Sequence, residues 1–177
     1  FEELQARLQR ASLQHIQLEP LTAVEEPEDS AEAREVAKRT YAQGVAVTKD
    51  VVNSVRMGRT ANLKKVKRAV QLVVDQVLNN ETSIVGLTTI RDYDEYTFTH
   101  SVNVCIFSVA LGKKLGLGKL QLYDLGLAAL LHDIGKARIS LDILNKTSGL
   151  DEDEWRVMTR HPWFGTLTLF SSRRYEE

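Results

Sequence analysis

The stretch Leu125-Gly126-Leu127-Ala128-Ala129-Leu130-Leu131-His132-Asp133-Ile134-Gly135-Lys136 decides how this chain is read. An unbroken apolar run leads directly into a histidine and an aspartate, without the alternation of polar and apolar residues that marks a half-buried strand. The run reads as a core helix. A carboxylate at its end would cost on the order of several kcal/mol if buried alone, so Asp133 calls for a cationic partner, and a metal ion is the natural one. Adjacent residues on a helix point about 100° apart, but at its C-terminal end, with Gly135 free to turn the chain, His132 and Asp133 can reach one small site from different sides. Lys136 projects from the same turn. Its ammonium could hold a phosphate oxygen beside a metal; the alternative is a charge on the helix dipole, worth about a few tenths of a kcal/mol.

Two further histidines fall on apolar stripes. His100 is followed at helical spacing by Val104, Phe107, Leu111 and Leu115, and His161 follows Val157 by four residues and Met158 by three. His132 itself is reached through Leu122, Leu125 and Ala129. All three are expected to point inward. One such imidazole is more often a core residue with a satisfied hydrogen bond, but three in one small core are satisfied most simply by a shared cation. The single cysteine, Cys105, excludes an intrachain disulfide and a thiolate cluster, so a metal would rest on histidine and carboxylate. Cys105 lies in an apolar segment and reads as core, not as a nucleophile.

Working outward, only three prolines and ten glycines punctuate 177 residues, and the stretches between them carry helical periodicity. The fold class expected is all-α. Helices are expected at about 82–91, 95–116, 119–134 and 152–160, with another beginning at Pro162; Asp151 and Glu154 make a capping box for the fourth. Residues 1–30 read as a short amphipathic helix (Phe1, Leu4, Leu8, Ala11) and an acidic linker from an upstream region, with Ser30 as an N-cap. Residues 31–80 read as a helical hairpin. Its stripes are Tyr41, Val45, Thr48, Val52 and Val55, then Leu63, Val66, Val70, Val73 and Val77, with Lys64, Lys65, Lys67 and Arg68 beside the second. The hairpin either packs on the following domain or serves as a dimerising, signal-transmitting coil. Residues 81–177 form the core domain.

Lys plus Arg total 23 and Asp plus Glu 24, a net charge of -1 that offers no basic footprint for general nucleic-acid binding. No apolar run approaches the ~20 residues that span a bilayer, and a cytoplasmic location is expected.

His100, the string His132-Asp133-Ile134-Gly135-Lys136 and the pair His161-Pro162 together resemble the HD superfamily of metal-dependent phosphohydrolases. Within it the similarity is to the HD-GYP group, carried also by Tyr96-Thr97-Phe98-Thr99-His100-Ser101, Ile143-Leu144-Asn145-Lys146 and Trp163-Phe164-Gly165. The resemblance implies a multi-helix HD-type domain that hydrolyses the bacterial second messenger cyclic di-GMP by metal-activated hydroxide. It implies His100, His132, Asp133 and His161 as metal ligands, Asp133 as a bridge between two divalent ions (iron or manganese), and Lys136 as a contact to the scissile phosphate. Some members carry a glutamate ligand for a third ion four residues before the first histidine; Tyr96 stands there, which favours two metals, and Asp94 reads as an N-cap. The resemblance also implies an upstream sensor or receiver domain, and the coil reading of the hairpin adds a homodimer through the N-terminal helices as a candidate partner. The group's paired histidines, late aspartate and Gly-Tyr-Pro signature are absent: after His161 the acidic residues are Glu176 and Glu177, and no histidine follows. The expectation is a domain incomplete at its C-terminus, which either holds one ion weakly or forms half of a site completed beyond Glu177. The alternatives are a non-catalytic HD-type regulatory or partner-binding module, and an HD phosphohydrolase acting on another nucleotide.

Overall fold

The computed structural model describes residues 31–89 and 96–173. Among them the elements are α1 (Ala31–Arg56), α2 (Leu63–Leu87), α3 (Tyr96–Lys114), α4 (Lys119–Leu131), a 3-10 segment (Ile134–Arg138), α5 (Leu141–Leu144), α6 (Glu152–Met158) and α7 (His161–Arg173), with no strand. The expected helix at 1–11 and the caps at Ser30 and Asp94 lie outside the described residues.

The hairpin stripes behave as their spacing requires. Val45, Thr48, Val52 and Val55 of α1 and Val66, Val70, Val73 and Val77 of α2 are buried, and all of these except Thr48 share one hydrophobic cluster with Val102, Cys105, Ile106 and Val109 of α3 and Leu122, Ala129 and Leu130 of α4. The hairpin therefore packs on the later helices. Tyr41 reinforces the junction by donating its hydroxyl to Asn103 Oδ1 at 2.9 Å, and Asn103 Nδ2 donates to the Thr88 carbonyl at 3.4 Å. Lys64, Lys65, Lys67 and Arg68 are exposed on the outer surface of α2.

Each turn has a local cause. α1 and α3 end in the same way, with Gly58 and Gly116 at positive φ (69° and 79°). The next residue's N–H then reaches back to a carbonyl in the last helical turn, Arg59 to Ser54 at 2.8 Å and Leu117 to Gly112 at 3.0 Å. Asn62 caps α2 by accepting from the Lys65 N–H at 3.1 Å. The capping box of α6 is present: Asp151 Oδ1 accepts from the Glu154 N–H, and Glu154 Oε2 accepts from the Asp151 N–H, both at 2.9 Å. Lys146 pairs with the same glutamate, which ties the loop after α5 to α6.

Several boundaries differ from expectation. The helix placed at 82–91 is the last leg of α2, which bends at Asn80 (φ -143°, ψ 62°) and continues to Leu87. α4 stops at Leu131, not at 134, and the chain tightens into the 3-10 segment. α5 was not anticipated, because four residues are too short to show a period. On α3 the expected inward stripe is the wrong one. Phe107, Leu111 and Leu115 are 52%, 61% and 72% exposed, whereas Val102, Cys105, Ile106 and Val109 are fully buried. Both faces of this helix are apolar, so periodicity alone could not choose between them.

Candidate metal centre

Asp133 is the N-cap of the 3-10 segment, held where α4 ends against the start of α7. Its side chain is 9% exposed and collects four partners. Oδ2 lies 3.2 Å from His132 Nε2, 4.0 Å from His100 Nε2 and 2.6 Å from Lys136 Nζ. Oδ1 lies 3.4 Å from His161 Nε2. Every candidate site residue read from the sequence is thus brought to one carboxylate, from α3, the end of α4, the 3-10 segment and the first residue of α7.

Ligand atoms of His100, His132 and Asp133 all lie within 4.8 Å of one another, a spacing one metal ion can bridge. His161 is not part of that group; it approaches the carboxylate through its other oxygen. The rings of His100 and His132 meet edge to face with centroids 5.5 Å apart. The histidines are less inward than their stripes imply. His132 and His100 are 36% and 40% exposed at the side chain, so they form the rim of the centre and Asp133 its floor. They sit at the solvent edge because α4 ends just before His132 and the outer face of α3 is open.

The backbone supplies a feature that sequence reasoning missed. His132 Nδ1 is 2.7 Å from the Ala129 carbonyl, and His161 Nδ1 is 2.8 Å from the Met158 carbonyl. A carbonyl only accepts, so Nδ1 carries the proton in both rings, and each Nε2 is left to face Asp133. Both carbonyls belong to the last turn of a helix, where backbone acceptors lack intrahelical donors. The signal was available: a histidine three residues after a residue in a terminal helical turn can take that orphan acceptor.

This donor set fits a divalent cation. The Nε2 atoms of His100 and His132 lie on the Oδ2 side of the carboxylate and that of His161 on the Oδ1 side, and the Lys136 ammonium contacts Oδ2 and not Oδ1. Imidazole and carboxylate are donors suited to zinc, iron or manganese, and the Nδ1–H bonds to carbonyls are the outer-shell contacts that orient ligating histidines.

Beside His132 runs a groove of about 770 Å³ between α2, α4 and α7, walled by Leu127, Leu131, Leu169 and Phe170 and edged by Lys67 and Asp124. Cys105 is not part of this chemistry. It is fully buried, and burial pushes its thiol up to about 12. No helix among the described residues is long and apolar enough to cross a membrane.

Residues 97–170 match the model of the HD domain family. A cyclic di-GMP phosphodiesterase of Pseudomonas aeruginosa is 33% identical over 147 residues, covering 83% of this chain and 34% of that protein. A 3'3'-cGAMP-specific phosphodiesterase of Vibrio cholerae is 41% identical over 75 residues, 42% of this chain and 16% of that protein. A cyclic di-GMP phosphodiesterase response regulator of Xanthomonas campestris is 40% identical over 63 residues, 36% of this chain and 17% of that protein. The chain spans about a third or less of each of these relatives. No solved structure matches it.

Proposed function

We propose, from the match of residues 97–170 to the HD domain family, that this chain is the metal-binding part of a bacterial phosphodiesterase that hydrolyses cyclic di-GMP. The observation that carries this is the convergence of three imidazoles and one ammonium on the two oxygens of Asp133. His100, His132, Asp133 and His161 are the proposed ligands of divalent ions. Iron or manganese is favoured by the mixed nitrogen and oxygen donors, and two ions by the use of both carboxylate oxygens. When bound, such ions supply Lewis acidity toward water and a phosphoryl oxygen.

The residues themselves do the rest. The Ala129 and Met158 carbonyls hold two rings in the tautomer that presents Nε2, and Asp133 sets the positions of its partners about one point. Lys136 Nζ, 32% exposed, is placed to exchange its contact with Asp133 for a phosphoryl oxygen and to offset the charge that develops there. Three histidines and one aspartate do not fill the coordination of two six-coordinate ions, so the proposal includes further ligands from the full protein. It also includes an upstream sensor or receiver and a homodimer. Since the hairpin stripes are occupied within one chain, such a dimer would use the outer faces of the N-terminal helices.

The cyclic di-GMP assignment follows the relative that matches most of the chain; the Vibrio cholerae relatives favour 3'3'-cGAMP as the second candidate. Anaerobic purification with metal analysis, then incubation of the full protein with cyclic di-GMP, 3'3'-cGAMP and a mononucleotide, tests both. Bound iron or manganese and cleavage of cyclic di-GMP are expected. A metal-free protein that cleaves none of them would instead support a regulatory HD module.

A further inference from the structure

Gly135 lies two residues beyond Asp133, and its φ is not positive, so a left-handed turn is not why glycine stands there. Space is the reason. A Cβ built on Gly135 would land on the carbonyl oxygen of His161, 2.8 Å from that residue's carbonyl carbon and 2.5 Å from the Gly165 amide nitrogen. These are backbone atoms of the first turn of α7 and cannot swing aside as a flexible side chain would. Gly165 faces Gly135 from the other side: a Cβ there would lie 3.4 Å from the Gly135 nitrogen and from Ile134 Cγ2, close but tolerable. Ile134 and Gly135 are buried, as is Gly165. The 3-10 segment and α7 thus meet backbone to backbone. The residue at that contact on the α7 side is His161 itself.

We propose that Gly135 is a positioning residue, which seats α7 close enough to bring His161 Nε2 onto Asp133 Oδ1 and thereby sets metal affinity. This rests on the metal-centre reading above. Asp133 and His161 are separated by 28 positions in the chain, so their 3.4 Å approach is made by packing and not by local geometry. A methyl group at residue 135 must push α7 outward by the overlap it creates, and the His161 ring travels with the backbone that carries it. His132, one residue before Asp133 and anchored to Ala129, does not depend on this contact.

Mn2+ binding, followed through the electron paramagnetic resonance of the free ion, tests the proposal in four proteins: the unmodified chain, Gly135→Ala, His161→Ala and the double variant. Gly135→Ala is expected to weaken binding at least about tenfold when His161 is present, the scale typical of lost second-layer support. With His161 already alanine the same change is expected to cost less than about twofold, because the two act through one interaction. Equal losses in both backgrounds would mean a general structural role and would overturn the proposal, as would no loss in either. Gly165→Ala and Gly165→Val press on the same contact more gently, with a smaller loss expected for alanine than for valine. If Gly135→Ala does not fold, the valine variant decides: a loss that requires His161 upholds the proposal, and unchanged affinity overturns it. Failure of the unmodified chain to bind Mn2+ would overturn the metal-centre reading and this role with it, whereas binding indifferent to both glycines would overturn this role alone.

Discussion

His161 Nε2 meets Asp133 through Oδ1 at 3.4 Å, while His132 Nε2 meets it through Oδ2 at 3.2 Å. One carboxylate therefore has imidazole nitrogens on both of its oxygens. Asp133→Asn keeps the shape but removes the charge and turns one acceptor into a donor. The helical circular dichroism is expected to persist, because the core cluster does not include Asp133. Mn2+ affinity is expected to fall more than about 100-fold, beyond the range seen for outer-layer changes. Affinity within about threefold of the unmodified chain would show that Asp133 is not the shared ligand.

Lys136 tests a different part of the centre. Its ammonium is 2.6 Å from Asp133 Oδ2 and would oppose a cation there. Lys136→Met keeps the stem and removes the charge, so metal affinity is expected to hold or rise. Hydrolysis of cyclic di-GMP by the full protein is expected to drop about 10²–10³-fold, the usual loss for one group that stabilises developing charge. Parallel loss of metal and activity would assign Lys136 to metal retention instead.

Neighbouring residues on α3 give the sharpest check on the fold. Ile106 is fully buried and Phe107 is 52% exposed. Ile106→Ala is expected to cost about 2–5 kcal/mol in urea unfolding through loss of burial and the cavity left behind. Phe107→Ala is expected to stay within about 0.5 kcal/mol. Reversed magnitudes would restore the stripe that periodicity first suggested.

That stripe shows where the sequence was legible and where it was not. The helical hairpin was readable because α1 and α2 each carry one apolar face, so the period named Val66, Val70, Val73 and Val77 directly. α3 is apolar nearly all round, and only the positions of α1, α2 and α4 decide that Val102 and Ile106 face inward while Leu111 and Leu115 do not. The centre was legible as residue types: His132-Asp133 and two distant histidines requiring a common partner. Its arrangement was not legible. The division of Asp133 between two oxygens and the locking of His132 and His161 by the Ala129 and Met158 carbonyls depend on where α4 and α6 end, and helix ends are the least determined part of a periodic pattern.

Cys105 gives a prediction about reactivity. Desolvation raises its thiol to about 12, so almost no thiolate exists at pH 8, and its burial blocks access as well. Iodoacetamide at pH 8 is expected to leave the native chain unmodified and to label one thiol after denaturation. Native labelling at the rate of a free thiol, followed by mass spectrometry, would show that the α3 core opens readily.

Acid stability is expected to depend on Glu81, which stands just after the bend in α2. Lys113 Nζ donates to Glu81 Oε2 at 2.9 Å and to the Val77 carbonyl at 2.9 Å, and so fastens the end of α3 to both sides of the bend. The Lys113 hydrogen bond, with smaller contributions from the charges of Lys113 and Lys114, outweighs partial burial and holds the Glu81 carboxyl below its ordinary value of 4.5. A carboxylate with a lowered folded-state pKa binds fewer protons folded than unfolded, so its stabilisation is fully present above that ordinary value and is lost as pH falls through the lowered one. Glu81→Gln removes this dependence. Melting temperatures of the two chains are expected to differ most at neutral pH and to converge as the pH drops well below 4.5. A gap that stays constant down the acid limb would show that Glu81 contributes through packing and not through its charge.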